Sequence, residues 1–267
     1  PDAMRQAADF LIVDGVRLEC RWIGAAVPDR PTLVFLHEGL GSVAQWRDFP
    51  DRVAGRLGLS ALVYSRAGYG HSDPVALPRP LDYLEREGLI HLPALLDAAG
   101  LEQVVLIGHS DGATIALIQA GRDPRRRVLG VVAMAPHSFV EDLCLDSIAR
   151  AAQAYRDGEL RRRLARYHGD NVDGAFWGWN ATWLAPDFRR WHIRDFLATI
   201  AAPVLVIQGE DDEYASDAQV RIIQDLVPAG AQALMPAACR HSPHHDQPQL
   251  VREAIAAFIT PLAVPAE

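Results

Sequence analysis

Short, almost wholly apolar runs separated by polar turns set the rhythm of this chain. They fall at Thr32–Leu36 (TLVFL), Ala61–Tyr64 (ALVY), residues 104–107 (VVLI), Val128–Met134 (VLGVVAM), residues 203–208 (PVLVIQ) and residues 231–235 (AQALM). Runs this short, without polar alternation, predict strands covered on both faces, as in a parallel sheet. Between them lie helix-like stretches near 45–57, 113–121 and 217–227, with another at 250–259 after the last run. Ahead of them, residues 10–23 place Asp14-Gly15 between two half-apolar runs, which is a hairpin signal. Strands alternating with helices predict an α/β fold with a doubly wound, mostly parallel sheet, and these runs make it eight-stranded.

The strand rhythm stops between about 138 and 196. Helix-like sequence rich in Phe176, Trp177, Trp179, Trp183, Trp191 and Phe196 intervenes there. In an open α/β sheet ligands bind beyond the carboxyl ends of the strands, so the stretch is expected to form a helical cap inserted after strand 6. The expected organisation is a core of residues 1–137 and 197–267 with a cap of residues 138–196. Packing of the cap on the body accounts for most such aromatics, and Trp177, Trp179 and Trp183 are the candidates for lining an acyl pocket.

Composition narrows the function classes. The chain has 267 residues, a formal charge of −8 and 26 basic residues, all of them arginine. The basic residues are dispersed among acids, which argues against a nucleic-acid partner, because phosphate recognition needs a clustered basic surface. The short run Arg125-Arg126-Arg127 is expected to be a solvated turn. Cys20, Cys144 and Cys239 are odd in number and widely spaced, unlike a disulfide framework or a zinc site. No apolar run approaches the ~18 residues of a membrane span, and Pro1-Asp2-Ala3-Met4 has no charged-then-apolar leader and is read as an altered or clipped start. A soluble cytoplasmic protein without a membrane partner is the expectation. The sequence carries no reading of oligomeric state.

Chemistry concentrates in three places. Gly108-His109-Ser110-Asp111-Gly112 lies between an apolar strand and a helix, where a strained strand-to-helix turn can hold a serine hydroxyl out at the sheet edge. A serine hydroxyl needs a base to take its proton, and histidine suits that task. Residues 239–246 offer three histidines after the last strand, and His241, first after the strand, is favoured with His244 as the rival. A carboxylate must orient that base. Gly209-Glu210-Asp211-Asp212-Glu213 supplies acids after the preceding strand, with Asp211 or Asp212 the candidate; the oxygen-ligand spacing of a calcium loop is missing. The order Ser, Asp, His along the chain is the one the nucleophile-elbow enzymes use.

With these motifs the chain resembles the capped α/β-hydrolase superfamily across essentially its whole length. His37-Glu38-Gly39-Leu40-Gly41-Ser42 is similar to the family's His-Gly-x-x-Gly loop. Ser65-Arg66-Ala67-Gly68-Tyr69-Gly70-His71-Ser72 is similar to its Asp-x-Arg-Gly-x-Gly-x-Ser loop. The resemblance implies Asp212 as the acid, counted from Gly209, and His241 as the base, with Arg240 where the family has glycine. It also implies an oxyanion hole made by the backbone N–H groups of Gly39 and Asp111. Glu38 stands where the family usually has glycine; its carboxylate is expected either to turn into a structural hydrogen bond or to help choose the substrate. Asp111, next to the serine, either caps the helix or receives a cationic group such as an amine.

These readings imply a serine hydrolase acting on a small-molecule acyl substrate, with a small apolar or aromatic carboxylic ester first in line. Thioesters, lactones and carbon–carbon bonds are alternatives for the same triad, as is transfer to an acceptor other than water. From a different class, the fold also hosts non-catalytic ligand receptors. No cofactor or metal is called for, since neither H-e-x-x-H spacing nor a dinucleotide fingerprint opening a βαβ unit is present.

Overall fold

The structure is a computed structural model, and it describes residues 9–264. The Pro1–Met4 start lies outside the described residues. Eight strands form one sheet: β1 (Asp9–Val13), β2 (Val16–Ile23), β3 (Thr32–Leu36), β4 (Ala61–Tyr64), β5 (Val104–His109), β6 (Val128–Met134), β7 (Val204–Ile207) and β8 (Ala231–Leu234). Their spatial order is β1-β2-β4-β3-β5-β6-β7-β8. The β1–β2 hairpin and the β2–β4 pair are antiparallel, and every other neighbouring pair is parallel.

The uniform apolarity of the central strands follows from their position. All residues of β3, β4, β5 and β7 are buried. Side chains alternate across a strand, so one strand feeds two cores. Leu33 and Phe35 of β3 pack on one face with Val63, Ile107 and Met134, whereas Val34 and Leu36 pack on the other with Leu62, Leu106 and Val131. Helices α1 (Phe49–Leu57), α2 (Tyr83–Arg86), α3 (Leu92–Ala98) and α4 (Asp111–Gly121) follow in chain order. Helix α4 is buried along its entire length, packed against β5 and β6.

Between β6 and β7 the chain runs through α5 (Asp142–Arg156), α6 (Glu159–His168), α7 (Val172–Trp183) and α8 (Arg194–Leu197). The two ends of this insertion clasp each other: Phe139 and His192 form an isolated bridge, and Ile193 N–H donates to Ser138 O at 2.9 Å. Helices α9 (Ala218–Leu226), α10 (Pro243–Asp246) and α11 (Pro248–Ile259) complete the chain. No helix among the described residues is long and apolar enough to cross a membrane.

The site is assembled where β3, β5, β7 and β8 release their carboxyl ends. Loops leaving these strands carry Glu38, Ser110, Asp212 and His241 respectively.

Candidate active site

Ser110 sits between β5 and α4 with φ 52° and ψ −116°, a conformation L-residues rarely adopt. Surrounding contacts enforce it. Its N–H donates to Met134 O at 2.8 Å, and its carbonyl accepts from Thr114 N at 3.0 Å. The turn is tight enough that a Cβ on Gly108 would press into the backbone of Gly112, and one on Gly112 into Leu36 O. Both glycines are therefore required by close approach. Because Ser110 opens a helix, the N–H of Asp111 lies in a first turn that has no intrahelical acceptors.

His241 Nε2 stands 2.9 Å from Ser110 Oγ. On the other side of the ring, Nδ1 is 2.9 Å and 3.0 Å from the Asp212 carboxylate oxygens. A carboxylate only accepts, so Nδ1 carries the proton and Nε2 is left free to accept from the serine. Asp212 is itself fixed by Tyr214 N–H, 2.8 Å from Oδ1. The loop of the histidine is held from both ends: His109 Nε2 donates to His241 O at 2.7 Å, and His241 N–H donates to Glu213 Oε2 at 3.1 Å.

Electrostatics follow from this packing. Burial pulls the His241 imidazole down, but the hydrogen bond and charge of Asp212, with Glu38 and Glu213 nearby, more than offset it and leave its pKa above the ordinary 6.5. Burial pushes Asp212 up, and its bond to His241 outweighs this and holds it below the ordinary carboxylate value. Desolvation lowers His109 to about 3 and also lowers His137, so both neighbours remain neutral beside the pair.

The loop after β3 is oriented by a second network. Arg66, which is buried, donates from Nη1 to His37 O at 2.5 Å and from Nη2 to Glu38 O at 3.2 Å. His37 Nε2 accepts from Arg66 N at 3.0 Å, so its Nδ1 is the donor to Glu38 O at 2.7 Å. In a trans peptide the C=O and N–H point in opposite directions. Gly41 N–H, 3.1 Å away, is a third donor on Glu38 O, and the three together therefore hold the N–H of Gly39 turned away from Arg66.

Helices α6 and α7 roof this arrangement. His168 on α6 accepts from Gly70 N at 3.0 Å and donates to Leu40 O at 2.8 Å. Trp179 on α7 lies so close to Gly39 that a Cβ there would come within 2.5 Å of the indole. One turn on, Trp183 Nε1 donates to Tyr83 Oη at 2.9 Å, and Tyr83 donates to Asp111 Oδ2 at 2.5 Å. This chain ties the roof to the residue after the serine. Beneath it lies a cavity of about 240 Å³, walled by Ile148, Leu160, Leu164, Trp179, Trp183 and Tyr214 and reaching Ser110 and His241. A larger cleft of about 1180 Å³ lies between Pro93, Gln119, Arg127 and Phe196 and touches none of these groups.

Comparison with known proteins identifies the family and the fold. A family model described as "Alpha/beta hydrolase family" matches residues 33–254, most of the chain. The chain belongs to the alpha/beta hydrolase family. Among curated proteins it is similar to the proline iminopeptidase of Lactobacillus delbrueckii subsp. lactis, 32% identical over 99 residues. That match covers 37% of this chain and spans about a third (33%) of the length of the relative. Solved structures with the same fold include the enol-lactonase from Burkholderia xenovorans LB400, with TM-score 0.72 at 18% identity over 94% of this chain and 100% of that one. Proline iminopeptidase from Mycobacterium smegmatis gives TM-score 0.70 at 18% identity over 96% and 98% of the two chains.

In this alpha/beta hydrolase the structure brings together Ser110, Asp212 and His241, and places Gly39, Asp111 and Glu38 around the same cavity. Asp211 is exposed and takes no part. The rival His244 is buried instead against Trp46 and Phe49, with ring centroids 5.0 Å and 5.2 Å away. Trp179 and Trp183 line the cavity, but Trp177 does not: it packs edge-on against Tyr155 and Phe176 under the Arg156 guanidinium. Residues 177 and 179 are two apart on a helix and point to different faces. Arg127 is also not a solvated turn residue, being buried and ion-paired to Asp97 at 2.6 Å.

Glu38 makes the structural hydrogen bond expected of it, Oε2 accepting from Leu40 N at 3.1 Å, and its side chain also borders the cavity. The sequence reading missed Tyr83 and Glu19. Glu19, buried in β2, accepts from Ser65 Oγ at 2.7 Å and from His71 N at 3.0 Å, while Ser65 Oγ accepts from Val43 N at 2.9 Å. Ser65 stands at the first position of its loop, where the family motif has an acid, and that vacancy was the signal for a carboxylate arriving from elsewhere. Among the described residues no group of three His, Cys, Asp or Glu could hold a metal ion.

Proposed function

We propose that this hydrolase cleaves a small carboxylic ester through an acyl-enzyme on Ser110. The observation that carries the reading is the continuous chain Ser110 Oγ, His241 Nε2, His241 Nδ1, Asp212, with its 2.9 Å links, set on a strained elbow at the edge of a cavity. His241 takes the Ser110 proton as Oγ attacks the acyl carbon. The resulting oxyanion is met by the N–H groups of Gly39 and Asp111, and preorganised donors of this kind contribute about 10²–10³-fold in rate each. Proton return from His241 Nε2 releases the alcohol, and a water activated by the same nitrogen then frees the acid.

The cavity favours a compact acyl group. Its volume of about 240 Å³ and its wall of Ile148, Leu160, Leu164, Trp179 and Trp183 suit a short chain or single ring. Thioesters and lactones would form the same acyl-enzyme and belong in the same assay panel. The test is turnover of a p-nitrophenyl ester series from acetate to decanoate by the wild type, Ser110→Ala and His241→Ala. Turnover that is greatest for short chains and vanishes in both variants supports the reading; turnover that persists in Ser110→Ala refutes it.

A further inference from the structure

The polar groups facing this cavity are unusual for a site that must stabilise an anion. Asp111, Glu38 and Glu213 all border it, and no arginine does. Glu213 is committed elsewhere, with one oxygen taken by His241 N–H and the other 3.3 Å from the exposed Arg240. The other two are each half-committed. Tyr83 holds Asp111 Oδ2, and Leu40 N–H holds Glu38 Oε2. Asp111 Oδ1 and Glu38 Oε1 accept no hydrogen bond from any described residue, and neither is among the fully shielded unpaired atoms. Each stays open to whatever fills the space beside it, even though Asp111 as a whole is buried and Glu38 half-buried. A carboxylate oxygen with no donor from the protein takes its hydrogen bonds from what enters, water or a ligand, and a charged donor makes the stronger bond.

The anchoring hydrogen bonds also fix direction. The Trp183–Tyr83–Asp111 chain prevents the Asp111 carboxylate from rotating its free oxygen away, and the Leu40 bond does the same for Glu38. Indole rings of Trp179 and Trp183 complete the wall, and aromatic rings attract cations through their quadrupole.

We propose that the substrate carries a positively charged aliphatic nitrogen, an ammonium group received by Asp111 Oδ1 and Glu38 Oε1 inside the Ser110 cavity. The inference rests on the acyl-enzyme reading above and assigns its substrate class. A bound ammonium supplies the donors both oxygens lack. It also offsets the two negative charges that would otherwise oppose an oxyanion forming at Ser110.

Binding is tested apart from catalysis by calorimetric titration of Ser110→Ala with n-butylammonium chloride and with its neutral counterpart butan-1-ol, at fixed ionic strength. The ammonium should bind about tenfold or more tightly than the alcohol, the range of a hydrogen bond to a charged group. That preference should shrink when Glu38→Gln is added and disappear when Asp111→Asn is added. Turnover gives a second readout on unaltered protein: the wild type should prefer p-nitrophenyl 6-ammoniohexanoate, which carries N–H donors, over the isosteric heptanoate ester in kcat/KM. Equal affinity for the two ligands, or a preference for the neutral ester, overturns the proposal even if either variant fails to fold. A protein that binds the ammonium but is not labelled by a fluorophosphonate instead refutes the acyl-enzyme reading and leaves the cation site standing.

Discussion

The Asp212 carboxylate grips His241 Nδ1 with both oxygens, at 2.9 Å and 3.0 Å, and is itself almost wholly shielded from solvent. That contact has a kinetic signature. A base must be neutral to accept a proton, and the His241 pKa lies above 6.5, so kcat/KM should climb with pH through a midpoint above 6.5. Asp212→Asn removes the charge that raises the imidazole and the acceptor that fixes its tautomer. The midpoint should then fall, and kcat should drop by about 10³–10⁴-fold. A pH–rate profile of both proteins checks this.

Stability should respond to acid through other histidines. Burial lowers the pKa of His37, His109, His137, His168, His244 and His245, with His109 at about 3, so each favours the neutral form in the fold while its unfolded form protonates near 6.5. A histidine whose folded pKa is depressed contributes stability above its unfolded value and loses it as pH falls toward the folded one. His241, raised, has the opposite sign and loses its contribution as pH rises through its folded pKa. Six against one, the melting temperature should fall between pH 6.5 and 5, with unfolding at pH 5 taking up about two protons or more. Denaturant midpoints measured across that window give the number.

The elbow makes a geometric prediction. A Cβ on Gly112 would drive into the backbone of Leu36 and His37, neither of which can retreat from the sheet. Gly112→Ala should cost about 3 kcal/mol and activity with it. Gly55, exposed in the last turn of α1, meets nothing within 4 Å, and Gly55→Ala should instead stabilise by about 0.5–1 kcal/mol. Paired denaturant titrations separate the two.

Tyr83→Phe deletes one hydroxyl but breaks two contacts, leaving the Asp111 carboxylate and the Trp183 indole N–H without partners in a buried place. Unpaired buried groups cost more than a hydrogen bond contributes, so the loss should be about 2–4 kcal/mol. A urea midpoint within experimental error of the wild type would remove Tyr83 from its linking role.

How much of this could be read from the sequence depends on whether a residue works with its neighbours or with distant ones. The central strands were legible because strands buried on both faces must be apolar throughout, as Thr32–Leu36 and residues 104–107 are. β1 and β2 were legible from the Asp14-Gly15 turn, whereas β8 lies at the sheet edge and is only partly buried, not covered on both faces as its run suggested. Ser110 was legible because an elbow needs glycines at fixed offsets; spacing alone left Asp211 and Asp212 open, and the family's Gly-x-x-Asp pattern, counted from Gly209, was what pointed to Asp212. Glu19 and Tyr83 were not, since each acts on a residue 28 or more positions away and carries no local pattern. Trp177 shows a different failure: abundance of aromatics marked the right helix, but only its periodicity separates Trp179 and Trp183, four apart, from Trp177 on another face. His244 was hidden because three histidines in one segment look alike until α10 turns one of them into the core.

The central claim is that Ser110 is an activated nucleophile, and the most direct measurement is the intact mass of the protein after exposure to a fluorophosphonate. One adduct per chain, mapped to the Ser110 peptide and absent in Ser110→Ala, is the predicted result. A folded wild type that gains no mass, or an adduct that survives Ser110→Ala, would contradict it.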